Sequence, residues 1–358
     1  MPPIVGMTKS VIIKKMFKKI LLALLLILLA LGIYYRELVS YGYMQAKGQL
    51  HILFNTQPVS AVLKDPALPD SLKQRLRLIG EIKRFAVDSL GLDASGSYEN
   101  FFDQKRKPIL WVITASEKYR LVPKQWSFPI IGTFAYKGFF DSTRAQTEEK
   151  ALIVNNFDTQ INEVSAWSTL GFLNDPVLSS MLYRTEGSLA NLIIHEMTHS
   201  TLFVKDNLEL NENLANFVGD YGATRFMIHK YGTSSTQLKK YTFRKQYNNA
   251  ISQHIVRGAK KLDSLYKSFH SKLSISQKDT LKTRVIGQIV LSSDTLLGGL
   301  IGKKYAWRSK KLPNNAFFIG YLTYHSQQND FQREFRDKFD SDFRRYLAYL
   351  KAKYPTSF

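Results

Sequence analysis

An apolar run close to the N-terminus restricts the folding of this chain more than any other feature. Residues 20–35 read ILLALLLILLALGIYY, and none of them carries a charge. The run is slightly shorter than the ~20 apolar residues of a typical membrane-spanning helix, but flanking lysines can snorkel and lengthen the span. Five lysines precede it, whereas Arg36 and Glu37 follow it with no net charge. By the positive-inside rule, we predict a cytoplasmic basic tail and signal-anchor helix over residues 1–36, and an extracytoplasmic domain over residues 37–358.

The alternative interpretation of the apolar run is a cleaved signal peptide, with the small residues Ala30 and Gly32 at the cleavage site. Tyr34 and Tyr35 follow directly and are typical of an aromatic belt at a membrane interface. A buried core helix is disfavoured, because the leucine-rich run has no polar face. We therefore favour an uncleaved, single-pass anchor.

Composition excludes several kinds of site. The chain of 358 residues contains no cysteine, which rules out disulfides, thiolate metal sites and cysteine nucleophiles. Any metal must be held by carboxylates and by the seven histidines.

The net charge is +21, and residues 233–311 hold 17 Lys and Arg against three Asp. This segment favours a surface for anionic lipid or an envelope polymer, with a solvated helical face as an equal alternative, and no nucleic-acid partner is expected.

The remaining chain reads as one α+β domain with a small sheet and a mostly helical C-terminal half. Pro69, Asp70 and Ser71 start a helix that stops at Gly91. Short segments rich in β-branched and aromatic residues predict strands within about 108–172, namely 109–114, 130–136 and 164–170. Helices are expected over about 185–231, over the basic segment 233–311 and over about 312–352. In the last region a stripe of phenylalanines at four-residue spacing predicts a core face: Phe331, Phe335, Phe339 and Phe343.

The most informative motif is an HExxH sequence formed by His195, Glu196 and His199. On a helix this spacing places two imidazoles one turn apart on one face, where both can bind a single Zn²⁺. Glu196 then lies beside the metal and can take a proton from a water molecule. The flanking sequence is apolar, so the helix is expected to be buried. Burying two histidines and a glutamate in such a helix costs free energy unless each polar group has an interaction partner.

A catalytic zinc site needs a third protein ligand and an open fourth position. We predict Glu212 as that ligand, on a second helix that folds back after a polar turn. Small residues on the same face, Ala215, Gly219 and Gly222, would let this helix approach the first one closely. Glu209 is the competing ligand, and Glu212 could instead be a carboxylate that favours the helix dipole. Asp220 could orient an imidazole or lie at the surface.

Two histidines, one glutamate and a water form the ligand set of zinc peptidases, so the motif predicts hydrolysis of an amide bond with one zinc ion per chain. A further group must stabilise the oxyanion. Tyr324, His325 and Tyr136 are the candidate donors, of which we favour Tyr324. A serine triad and a glycine-rich phosphate loop have no comparable signature in the sequence.

Motifs throughout the chain resemble those of the bacterial "putative aminopeptidase" family, zinc-dependent peptidases of the gluzincin type. They are YMQAKGQL at 43–50, WSFP at 126–129, GTFAYKGFFD at 132–141, AWSTLG at 166–171, DP at 175–176, the HExxH motif, NE at 211–212, LPNNA at 312–316 and TY at 323–324. The resemblance implies a zincin-like domain, His195, His199 and Glu212 as zinc ligands, and Glu196 as the catalytic base. It also implies a peptide substrate, and an aminopeptidase rather than an endopeptidase.

The resemblance further implies that Tyr324, Asn314 and Asn315 line the cleft, the two asparagines as substrate-binding residues. Family members often carry a lipoprotein cysteine after the apolar segment and cysteines where Ser127 and Thr133 stand here, and this chain lacks both. The expected location is the inner membrane, with the catalytic domain in the periplasm. The alternative function is a non-catalytic zinc-containing envelope protein that binds anionic lipid or polymer through residues 233–311.

Overall fold

The computed structural model describes residues 5–128, 132–164, 174–301 and 311–355. Contacts divide the chain into two units, Met1–Phe54 and Asn55–Phe358. The first unit contains helices α1 (Val5–Tyr34) and α2 (Arg36–Phe54). The first unit extends beyond residue 36 because a second helix follows the apolar one, and the predicted division into an anchor over residues 1–36 and a domain over residues 37–358 stays a prediction. Met16–Tyr34 is long and apolar enough to cross a membrane by length and composition, with a mean hydropathy of 2.4.

The second unit begins with short elements that lead to an amphipathic helix. Strand β1 (Gln57–Pro58) and helix α3 (Val59–Val62) precede α4 (Asp70–Phe85). One π-helical turn, Ala86–Leu90, extends α4, and Gly91 ends it with a φ of 78°. This left-handed conformation favours glycine, which explains why the helix stops where the sequence predicts.

The strands form three small sheets. Their bounds are β2 (Asn100–Phe102), β3 (Trp111–Glu117), β4 (Trp126–Phe128), β5 (Gly132–Phe134), β6 (Tyr136–Phe139), β7 (Phe157–Glu163) and β8 (Val177–Leu178). The first sheet has the order β1-β2-β8, the second β6-β3-β7 and the third β4-β5. In the second sheet both neighbours of β3 are antiparallel, in register at Ile113 with Lys137 and Ile161.

The predicted strands agree with this arrangement only in part. Segment 109–114 overlaps β3, and 130–136 overlaps β5 and the start of β6. Segment 164–170 lies almost wholly outside the described residues, and β7, just before it, was not predicted. β7 reads FDTQINE and has few buried side chains, so its hydrophobic pattern is weak. Helix α5 (Ser142–Val154) connects β6 to β7 and packs against the sheet.

The C-terminal half is helical, as predicted. A 3₁₀ turn (Ser179–Tyr183) leads into α6 (Glu186–Thr201) and α7 (Leu208–Tyr231), followed by α8 (Thr236–Lys267), α9 (Ile275–Ile301), α10 (Asn315–His325), α11 (Gln328–Phe339) and α12 (Phe343–Lys353). Helices α8 and α9 pack on each other, and α10 packs against α7, α8 and the second sheet. The fold is therefore mixed α and β with small sheets.

The phenylalanine stripe faces the core, as predicted, but it is not carried by one helix. Phe331 and Phe335 on α11 are buried, and the rings of both lie close to that of Phe217 on α7. The helix ends at Phe339, because Asp340 and Ser341 adopt left-handed φ angles of 49° and 61°. Phe343 then starts α12 and stacks on the ring of Tyr221.

Candidate metal centre

The HExxH helix α6 packs closely against α7, which carries Glu212. A side chain at Gly219 would bring its Cβ within 3.0 Å of the backbone oxygen of Asn191 and within 3.3 Å of the Cβ of His195. A Cβ at Gly222 would lie 2.9 Å from two atoms of Ile194. Only glycine allows this separation at both positions. Of the small residues predicted to permit a close approach, Gly219 and Gly222 do lie against α6.

Three metal-binding side chains meet where these helices cross. The Nε2 atom of His195 lies 3.3 Å from the Nε2 of His199 and 3.3 Å from the Oε2 of Glu212. The Nε2 of His199 lies 3.7 Å from the Oε1 of Glu212. Ligands bound to zinc at 2.0–2.1 Å with tetrahedral angles are about 3.3–3.4 Å apart. The two Nε2 atoms match this separation, as does the Nε2 of His195 with the Oε2 of Glu212, whereas the Nε2 of His199 is somewhat farther from the other carboxylate oxygen. The donor set fits Zn²⁺.

Burial and mutual charge control the ionisation of these three groups. Burial lowers the pKa of His199 to about 4, despite the nearby carboxylate of Glu212. Burial opposes charge on His195 as well, but the hydrogen bond that it donates to Glu212 and the carboxylates of Glu196 and Glu212 raise its pKa. The two imidazoles in turn outweigh burial and lower the pKa of Glu212. Glu212 is thus held as a carboxylate and His199 as a neutral imidazole, the forms that bind a metal.

Asn216 orients the first imidazole. Its side chain hydrogen bonds to His195, while its Nδ2 donates to the backbone oxygen of Tyr324 at 2.8 Å. The amide oxygen of Asn216 is therefore the atom left to accept from the imidazole. Since the Nε2 of His195 faces Glu212, the Nδ1 is the ring nitrogen left to donate to Asn216. With a metal bound, this hydrogen bond would hold the proton on Nδ1 and leave the Nε2 lone pair to the ion.

Asp220, which was expected either to orient an imidazole or to lie at the surface, hydrogen bonds to other residues, although its charge interacts with that of His195. Asp220 accepts a hydrogen bond from the Nδ2 of Asn191 at 2.8 Å and lies 3.7 Å from the Nζ of Lys245. Asn216 lies four residues after Glu212, on the same helical face, and this spacing could have identified it. In contrast, the Nδ1 of His199 is buried without a hydrogen-bond partner among the described residues.

Other asparagines of the same helix position the neighbouring segments. The Asn211 side chain donates to and accepts from the backbone of Val204, so it holds the turn between α6 and α7. The Nδ2 of Asn213 donates to the backbone oxygen of Thr323 at 2.7 Å, and its Oδ1 accepts from the backbone of Gln327. The asparagines around Glu212 therefore position both this candidate metal ligand and the end of α10.

Glu196 lies beside the ligands with a set of polar neighbours. It is half-buried, and its charge acts on the pKa of His195, Tyr98 and Arg184. Tyr98 is buried, and burial together with the carboxylates of Glu196 and Asp175 raises its pKa well above the ordinary value. It also has a φ of 67°, a left-handed conformation that is rare for a bulky residue. Sequence analysis missed Tyr98 and Arg184, since neither lies in a motif.

Tyr324 is close to the cluster, at the end of α10. Its side chain remains 40% exposed. Desolvation raises the pKa of Tyr324 well above its ordinary value, and the charges of Glu212, Tyr136 and Glu196 act in the same direction. The hydroxyl therefore stays protonated and can donate a hydrogen bond. Tyr136 lies near it on β6, while burial lowers the pKa of His325 to about 4, so that residue is neutral.

Three other candidates have structural roles instead. Asn314 caps α10, and its Nδ2 donates to the backbone oxygen of Thr159, so its amide is engaged. Asn315 is completely buried, and its Nδ2 donates to the backbone oxygen of Glu117. Both side chains anchor α10, and the prediction that these two asparagines bind substrate stays a prediction. Glu209, the competing ligand, bonds to Ser326 and Gln327 at the end of α10.

Comparison with known proteins identifies a family for this chain. Residues 40–354 match the model of a protein family that is described as "Putative aminopeptidase". No curated protein and no solved structure matches the chain significantly. The zincin-like architecture therefore stays a prediction.

Proposed function

Since the chain belongs to this putative aminopeptidase family, which indicates a peptidase, we propose that it is a membrane-anchored, zinc-dependent aminopeptidase. The observation that carries the proposal is the spacing of the donor atoms of His195, His199 and Glu212, at 3.3, 3.3 and 3.7 Å. A buried structural cluster has no need to direct three metal-binding atoms at one point. Peptides are the proposed substrates.

One zinc ion per chain would be held by His195, His199 and Glu212. When bound, Zn²⁺ would acidify a water molecule and polarise the carbonyl of the scissile bond. Asn216 keeps His195 in the tautomer that binds the metal through Nε2. Glu212 is the charged member of this ligand set, and its single negative charge would neutralise half of the charge of Zn²⁺.

Glu196 is the proposed general base and acid. Its carboxylate takes the proton of the attacking water and passes it to the nitrogen of the leaving amine, which turns the amide nitrogen into a good leaving group. Tyr324 donates a hydrogen bond from its hydroxyl to the oxygen of the reacting carbonyl, where negative charge develops. Its raised pKa keeps that proton on the tyrosine at neutral pH.

The N-terminal helix is the proposed membrane anchor. Five lysines precede the apolar segment Met16–Tyr34, so the proposed orientation has the N-terminus in the cytoplasm and the peptidase domain in the periplasm, at the inner membrane. We expect external protease to degrade the domain in spheroplasts whose inner membrane is intact. Protection of the domain would contradict this orientation.

Metal analysis and peptide digestion of the full chain in detergent test the activity. The wild type should contain about one zinc per chain and release N-terminal residues from a peptide library. Glu196→Gln should retain the zinc but lose about 10²–10⁴-fold in kcat, because it removes only the proton transfer. Glu163→Gln, at an exposed strand end, is the matched control. Zinc-loaded wild type that cleaves no peptide would contradict the proposal and favour the non-catalytic alternative.

A further inference from the structure

Helix α2 presents an apolar stripe to solvent. The stripe consists of Val39, Tyr43, Ala46, Leu50 and Phe54, all of which are exposed in the described structure. Tyr43 and Phe54 are 69% and 80% exposed. At ~100° per residue, the five positions lie within about 80° of one another around the helix axis. They therefore form one continuous surface rather than scattered apolar side chains.

The buried side chains of α2 lie on a different face. Met44 and Ile52 are 8% and 1% exposed, and they point at least about 120° away from the middle of the stripe. Single apolar residues at a surface are ordinary, but a contiguous apolar surface marks an interaction site. The stripe is thus an interaction surface separate from the face that is already buried.

The connection between α1 and α2 argues against lipid as the cover of this stripe. Tyr35 alone separates the two helices. Its N–H donates to the backbone oxygen of Leu31 at 2.9 Å, and its own oxygen accepts from the N–H of Val39 at 2.9 Å. Helical hydrogen bonds therefore pass through Tyr35, and no loop lays α2 in the membrane plane. With α1 as the proposed membrane span, the 19 residues of α2 project from the membrane by about 28 Å.

The spacing of the stripe favours another helix as its partner. Val39, Tyr43, Ala46 and Leu50 follow one another at intervals of four, three and four residues. This is the alternation of the a and d positions in a coiled coil, with Tyr43 and Leu50 at a. The same register reaches back to Gly32 in α1, where an added Cβ would meet nothing within 4 Å. A small residue there lets two membrane helices approach each other closely.

A second copy of this chain meets these requirements. Copies anchored in one membrane have the same orientation, so their stripes can face each other at equal height. Confinement to the membrane also raises the effective concentration of each helix for the other. Lys47 is the charged residue at the positions that flank the stripe, and in a parallel pair it faces Gly42 of the second copy. No like charges therefore oppose the association.

We propose that the apolar stripe joins two copies of this chain through a parallel coiled coil of their α2 helices. The interface is separate from the candidate metal centre, and it adds an assembly to the proposed function. Its parallel direction rests on the proposed membrane anchor.

Cross-linking of the full chain in isolated membranes tests this interface, since the chain has no cysteine of its own. Leu50→Cys should form a disulfide-linked dimer in most chains on mild oxidation, because facing a positions lie close enough for a disulfide. His51→Cys is the matched control, one residue further along and exposed on the outer side of the coil, and it should give about 10-fold less dimer. Val39→Cys should cross-link like Leu50→Cys, as parallel pairing requires.

A charge within the stripe tests whether these contacts hold the dimer together. Adding Tyr43→Lys to Leu50→Cys places two lysines opposite each other and should reduce the cross-link about 10-fold, with the melting temperature of the peptidase domain unchanged. Equal cross-linking of Leu50→Cys and His51→Cys, no cross-link from the folded chain, or a cross-link to a protein of different mass would overturn the interface. Cross-linked protein that cleaves no peptide would instead overturn the proposed peptidase function alone.

Discussion

Two buried polar clusters in this protein differ in how completely their atoms are satisfied. The histidine cluster consists of His195, His199 and Glu212. The lysine cluster consists of Lys282 on α9, Asp158 on β7, Asn315 on α10 and Tyr266 on α8. Both bury charged or hydrogen-bonding groups at a junction of helices.

In the lysine cluster every group meets a partner of opposite character. The Nζ of Lys282 bonds to Asp158 and to the backbone oxygen of Lys118. Asp158 also accepts the backbone N–H of Asn315 at 2.8 Å, and Tyr266 donates its hydroxyl to the Oδ1 of Asn315 at 2.7 Å. Donors and acceptors are matched, so this cluster needs no ligand. It joins the second sheet to three helices.

In the histidine cluster the donor atoms of three side chains converge on one point. The two Nε2 atoms lie 3.3 Å apart, and one of the imidazoles leaves its Nδ1 buried without a partner among the described residues. A cation bound by both nitrogens would remove the repulsion between their lone pairs. A hydrogen bond would satisfy only one pair of these atoms. Burial of polar residues therefore does not distinguish a functional site from a structural one. The convergence of electron-pair donors does.

The two clusters should differ most clearly when Glu212, a proposed metal ligand, is removed. We expect Glu212→Ala to reduce the zinc content from about one ion per chain to nearly none and to abolish peptidase activity, because two histidines alone bind zinc weakly. Zinc should no longer raise the melting temperature of this variant, since a ligand stabilises only a fold that binds it. Elemental analysis and thermal melting measure both effects. Retained zinc would exclude Glu212 as a ligand.

Disruption of the lysine cluster should change stability rather than metal binding. Lys282→Met leaves Asp158 buried without its cation, so the free energy of unfolding should fall by about 3–5 kcal/mol. The exposed Lys272→Met serves as the control and should change it by less than about 0.5 kcal/mol. Denaturant titration gives these values. Folded Lys282→Met should still bind zinc, and a loss of zinc from the folded fraction would show that the two clusters are coupled.

The orienting asparagine should affect metal affinity to an intermediate degree. Asn216→Ala removes the acceptor that holds the proton on the Nδ1 of His195, so zinc affinity should fall about 10–100-fold. Competition with a chelator of known affinity measures this change. Asn248→Ala, on the exposed face of α8, should leave the affinity unchanged. If the two variants behaved alike, Asn216 would have no role in orienting the ligand.

The close approach of α6 and α7 should tolerate little added volume. Gly219→Ala places a methyl group 3.0 Å from the backbone oxygen of Asn191, which should cost about 1–3 kcal/mol of stability. Gly80→Ala, in the interior of α4, meets only Arg84 at 3.8 Å and should be neutral or stabilising by up to about 1 kcal/mol. Chemical unfolding of both variants tests the difference. Equal stability of the two would contradict the tight contact at Gly219.

Sequence analysis predicted the helical half, the core position of the phenylalanines and the residues that cluster at the candidate metal centre. It predicted the sheet only in part, because β7 has a weak hydrophobic pattern and other strands are two or three residues long. The resemblance implied that Asn314 and Asn315 line the cleft, and the structure shows that both side chains bind backbone groups near the second sheet. A motif thus located a pair of residues whose contacts only the structure shows.

The sequence by itself determined what local geometry controls. A helix repeats every 3.6 residues, so His195 and His199 had to share a face, and the small residues had to form a surface for a close neighbour. Tertiary structure alone decided which distant groups meet: Tyr324 lies near Glu212, and Asn216 hydrogen bonds to His195. These contacts join segments tens of residues apart. They depend on how helices pack across the whole domain, and no short pattern records that packing.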